Sequence, residues 1–187
     1  MKLIGWGMIV VLLDFRYDNF DVVVDLAGWL MLYFGLCRLR KLDNAFRLAA
    51  GFAFVGALAS LPELLPLLGG RAIVGGELRL ASLIVIGGMV IVLTCTGLMR
   101  LADRAGDRSL EQRARWLRGT EAVSIVMSLL IGPRQLVVSG GDRMGDVVGL
   151  LGLLSAGLAF VAVLWFVLLV FSQNVVAATT ERSQAIT

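Results

Sequence analysis

Six apolar stretches, at residues 3–13, 22–36, 46–68, 80–99, 121–138 and 147–171, dominate this chain, and their lengths limit what it can fold into. A helix needs about 20 residues to cross 30 Å of hydrocarbon, so the third, fourth and sixth stretches are long enough to span a bilayer. The first is short even if extended to Phe15, and the second reaches span length only if its helix starts near Asn19. Backbone in hydrocarbon must satisfy its own hydrogen bonds, which makes each stretch a helix. The expected fold is all-α, a polytopic membrane helical bundle of about six transmembrane helices over residues 1–171, followed by a polar, disordered tail over 172–187.

Composition agrees. Hydrophobic residues make up 58% of the chain and charged residues 17%, with a mean hydropathy of +0.87; soluble domains average about a quarter charged residues. Lys2 precedes the first apolar run, but no small-x-small cleavage pattern follows, so an uncleaved first span is expected rather than a signal peptide. The basic residues set the topology. Lys2, then Arg38, Arg40, Lys41 and Arg47, then Arg100, Arg104, Arg108, Arg113, Arg115 and Arg118, then Arg182 fall on one side, and Arg16, Arg71, Arg79, Arg134 and Arg143 lie in the other loops or spans. By the positive-inside rule this predicts a multi-pass protein of a bacterial cytoplasmic membrane with both termini cytoplasmic. The same asymmetry explains the net charge of +3, and nucleic acid is not an expected partner. Residues 100–119 look helical, with Leu101, Leu110, Trp116 and Leu117 among the basic residues, and read as a solvated inter-span loop, the alternative being a segment lying on the anionic inner leaflet.

Histidine is absent, and Cys37 and Cys95 form no Cys-x-x-Cys motif. That removes the usual zinc ligands and the Ser-His and Cys-His nucleophile systems, so chemistry falls to carboxylates, arginines and hydroxyls. Four carboxylates, Asp14, Asp18, Asp21 and Asp25, lie between the first two apolar stretches at helical spacing. Ionisable groups in or beside a bilayer are costly unless paired, hydrated or functional. Asp18 and Asp21 suit capping of the second span; Asp14 and Asp25, flanked by apolar residues, are the stronger catalytic candidates. Asp21 and Asp25 stand one turn apart, where two carboxylates repel and one can hold a proton, as a general acid must.

Glu63 follows Pro62 toward the outer end of the third stretch, and Arg134 follows Pro133 toward the outer end of the fifth. Proline removes a helical hydrogen bond, and such breaks are tolerated in a bilayer where they line a wet cavity or are buried in protein. Asp14, Asp25 and Glu63 are therefore the candidate catalytic acids. Arg16, Asp21, Trp29, Tyr33 and Arg134 are the candidate binding residues of a polar pocket near the outer face, unless Glu63 and Arg134 simply pair between spans. Ten of the fifteen aromatic residues fall within residues 1–54, which suits cation–π shielding of a carbocation as well as ordinary packing. Asp142 and Asp146 could join the acidic stripe around a divalent ion, but no EF-hand spacing supports it, and neither metal nor cofactor is expected. Gly28 and Gly35 suit close helix contact, as do Gly149, Gly152 and Gly157.

Gly5-Trp6-Gly7, Leu13-Asp14-Phe15-Arg16, Phe20-Asp21 and Asp25-Leu26-Ala27-Gly28-Trp29 together resemble the opening of small multi-span membrane proteins of Gram-positive bacteria. The likeness covers residues 3–40, and Val24 stands where those proteins often carry proline. It implies that the Asp14, Arg16, Asp21 and Asp25 cluster matters and implies no activity. Three functions fit the residues. One is an enzyme acting on an isoprenoid or lipid by general acid catalysis, as membrane-bound terpene cyclases do. The second is a solute-binding or transport subunit, and the third an assembly or protective protein with a membrane protein partner. Membrane lipids and an apolar small molecule or isoprenoid are the expected ligands.

Overall fold

The buried stripes of the chain explain its helices. In the computed structural model, which describes residues 1–12, 21–61, 76–135 and 143–172, these are α1 (Lys2–Leu12), α2 (Asp21–Leu39), α3 (Asn44–Ser60), α4 (Gly76–Ala105), α5 (Arg108–Gln135) and α6 (Arg143–Phe171). No strand occurs among the described residues, in keeping with the all-α expectation. Each helix packs against the next in sequence, and α1 also packs against α6, so the contacts close into a ring. One segment among the described residues, Val85–Ala105, is long and apolar enough to cross a membrane, with a mean hydropathy of 1.9; Lys2–Val11, Asn44–Ser60 and Gly157–Phe171 are apolar but shorter.

Residues 100–119 are helical, as their pattern suggested, but they continue the two long helices on either side as a hairpin rather than forming a separate inter-span segment. α4 runs on to Ala105, the chain reverses at Gly106, whose φ of 74° suits glycine, and α5 begins at Arg108. Asp107 caps α5 by accepting a hydrogen bond from the Leu110 amide at 3.0 Å. The physical reason lies in the spacing of the apolar residues. Leu98, Leu101 and Ala102 on α4 and Leu110, Ala114 and Leu117 on α5 are buried against each other's faces, so the arginines between them occupy the outer faces of helices.

The loop before α3 meets the last turns of α4. Asp43 caps α3, accepting from the Ala45 amide at 2.8 Å. The same carboxylate pairs with Arg100 at 3.1 Å and Arg104 at 3.7 Å on α4. Both arginines are about half exposed, so solvent screens the pairing and the cap carries much of the contribution.

Glycine sets the distance between α1 and α2. A Cβ on Gly7 would lie 2.8 Å from the Leu32 amide nitrogen and 2.9 Å from the Gly28 carbonyl oxygen, both backbone atoms that cannot swing away. Gly28 and Gly35 return the contact against Val11 and Ile4, as their spacing suggested, whereas Gly157 has nothing within 4 Å. Gly7→Ala should therefore lower stability by about 2 kcal/mol. Gly51→Ala, in mid-helix with open space around it, should raise stability by about 0.5–1 kcal/mol. Thermal unfolding of the two variants beside the parent checks both signs. In the same assay, Asp43→Ala should cost about 1–2 kcal/mol, and Asp43→Asn, which keeps a capping oxygen, should recover most of it.

Candidate functional site

Helix α2 brings part of the expected site together. Asp21, Asp25, Trp29 and Tyr33 follow at one-turn spacing, with Asp21 as the first residue of the helix. Asp25 and Tyr33 are half-buried, and Trp29 is buried at 2% exposure. The Tyr33 ring lies 5.3 Å from Phe34 and 5.5 Å from Phe54, centroid to centroid. Arg134 falls in the last turn of α5, which continues past Pro133 to Gln135. Asp14, Arg16 and Glu63 lie outside the described residues. So does the metal grouping of Asp14 and Asp18 with Asp142.

Trp29 crosses between three helices. Its ring fills the space that a side chain on Gly56 of α3 would need, and its far edge faces Gly87 of α4, 3.7 Å from where a Cβ would stand. The indole Nε1 is buried and donates to no described residue.

The neighbouring glycine, Gly88, leads to a site the sequence reading passed over. A Cβ there would meet the Glu121 Oε1 at 2.9 Å and the Ile125 side chain at 2.6 Å, so the missing side chain makes the notch in which the carboxylate sits. Glu121 is only 4% exposed, and its Oε2 accepts no hydrogen bond from any described residue. Ser124, one turn on, and Thr94 and Cys95 on α4 are also buried, and the Thr94 hydroxyl finds no partner among the described residues. Trp29 and Glu121 thus approach α4 at adjacent residues, with Thr94 and Cys95 about two turns further along the same helix.

Glu121 stands near the middle of α5, 15 residues beyond Gly106, or about 22 Å along the helix from the hairpin turn. Reading it as the first residue of an apolar stretch put it at a boundary. The signal that finds it is the row Leu110, Ala114, Leu117, Glu121 and Ser124, which repeats at spacings of four and three and faces α4 throughout. A glutamate in such a row belongs to the buried seam. A buried carboxylate costs several kcal/mol unless a proton, a cation or a set of donors compensates it. Protonation is the simplest of these, and the Glu121 Oε1 lies in the space that a side chain on Gly88 would take.

No family model matches the chain, and neither a curated protein nor a solved structure is significantly similar to it.

If Glu121 is kept for function, its isostere should fold at least as well. Glu121→Gln is expected to leave the melting temperature unchanged or raise it by a few degrees, since neutralising a buried acid removes a desolvation cost. A loss of more than about 1 kcal/mol in the glutamine variant would assign the carboxylate a structural role instead.

Proposed function

We propose that the protein is a polytopic integral membrane bundle that binds and moves a small solute, with Glu121 as its proton carrier. Support for the membrane reading comes from the distribution of residues between inside and outside. Phe34, Phe54, Leu130, Leu154, Phe160 and Leu168 are exposed, whereas Thr94, Glu121 and Ser124 are buried. Scattered exposed apolar residues are ordinary, but so many on successive helices suit a lipid-facing surface. Three of the four tryptophans, Trp6, Trp116 and Trp165, are 54%, 67% and 49% exposed. Each stands toward the helix end where the basic loops lie, the position of an interfacial aromatic belt.

The observation that carries the functional reading is the Glu121 carboxylate, buried in mid-helix with an oxygen that no described residue donates to. Ionisable residues so placed in membrane bundles serve ion and proton pathways. A proton is the smallest group that neutralises such a carboxylate, which favours it over a larger ligand.

A second reading is general acid catalysis on an isoprenoid or lipid. The row Asp25, Trp29 and Tyr33, with Phe34 and Phe54 beside it, favours that chemistry.

Native mass spectrometry of the detergent-purified protein is expected to show a small-molecule adduct. In proteoliposomes carrying an entrapped pH-sensitive dye, adding that molecule outside should acidify the lumen, and Glu121→Gln should lower the rate at least tenfold. Conversion of the molecule to a product, abolished by Asp25→Asn and not by Glu121→Gln, would replace transport with the enzymatic reading.

A further inference from the structure

We propose that the groove between α5 and α6 is a binding site for one anionic phospholipid. The inference rests on the membrane reading above. Around the ring, glycines on five of the six interfaces are filled: Gly7 and Gly28 between α1 and α2, Gly56 by Trp29, Gly97 by Phe46, Gly88 by Glu121 and Ile125, and Gly5 by Phe171. Between α5 and α6, Gly119 has nothing within 4 Å. There an open groove of about 600 Å³ is lined by Arg115, Trp116, Gly119, Thr120, Val123 and Leu158.

The groove is graded along its length. Arg115 and Trp116 stand at the end nearer the basic hairpin and Val123 at the other, about 12 Å further along α5, while α6 contributes Leu158. Thr120 turns its hydroxyl back to the Trp116 carbonyl at 3.0 Å, which leaves its methyl to face outward with the rest of an apolar floor. Arg115 pairs with Glu111, but a guanidinium has five donors, and the side chain is 63% exposed. The first three turns of α5 carry Arg108, Arg113, Arg115 and Arg118 against the single acid Glu111. Charge complementarity therefore selects a phosphate with net negative charge at the mouth, and the apolar trough below it receives an acyl chain. Trp116 sits where glycerol and ester groups would lie, a depth that suits an indole. A zwitterionic lipid fills the same trough but gains less from the basic turns, because its own ammonium cancels the charge they attract.

The test uses the full chain in a non-ionic detergent, with dioleoyl phosphatidylglycerol or dioleoyl phosphatidylcholine added and retention read by native mass spectrometry. Phosphatidylglycerol is expected to remain bound at concentrations where phosphatidylcholine does not. Arg115→Gln should weaken its retention about fivefold. Gly119→Leu, which fills the groove at a position with no close neighbours, should abolish retention with little change in melting temperature. Equal retention of the two lipids, or retention untouched by both variants, overturns the site. Arg115 is exposed, so its variant decides the matter even if Gly119→Leu perturbs the fold. Alkaline carbonate extraction of native membranes separates the two claims. Release of the protein into the soluble fraction sinks the membrane reading, whereas a retained protein without lipid preference sinks the groove alone.

Discussion

A missing side chain on one helix, filled by a large group from the next, is the contact on which this bundle turns. Trp29 enters at Gly56, Phe46 at Gly97, Phe171 at Gly5, and the backbones of α1 and α2 meet directly at Gly7 and Gly28. In lipid no hydrophobic effect draws helices together, because the tails are as apolar as leucine. For a bundle in lipid, association depends on close approach, which small residues permit. The same device positions the chemistry, since the notch at Gly88 admits the Glu121 carboxylate as the others admit rings.

The helical class was legible in the sequence, because long apolar runs are a direct consequence of burial. Asp43 joins the loop before α3 to Arg100 and Arg104 in the last turns of α4. The hairpin at Gly106 was not legible from hydropathy averages. They register the arginines of residues 100–119 and overlook the buried row between them, Leu101, Ala102, Leu110, Ala114 and Leu117. Averaging also hid Glu121, which is polar in a seam recognisable only by its repeat.

The expected pocket is divided among what α2 supplies, Arg134 at the end of α5, and residues outside the described part of the chain. The row from Asp21 to Tyr33 follows from helical spacing alone, so the sequence was enough to align it. The approach of Trp29 to α4 depends on which helices are neighbours, and apolar stretches do not encode that order. The ring of contacts supplies it, and with it the meeting of Trp29 and Glu121 at the adjacent residues Gly87 and Gly88.

The Asp43 pairing has a mechanical consequence. α4 is tied by Arg100 and Arg104 to the loop that starts α3, and it grips Glu121 through Gly88 about 18 Å away along the same helix. A rigid rod pinned near one end behaves as a lever. A twist of α4 that widened the notch at Gly88 would have to rotate against the pinned end and strain the Asp43 contacts, so a change at the buried acid would be felt at the loops on the basic face.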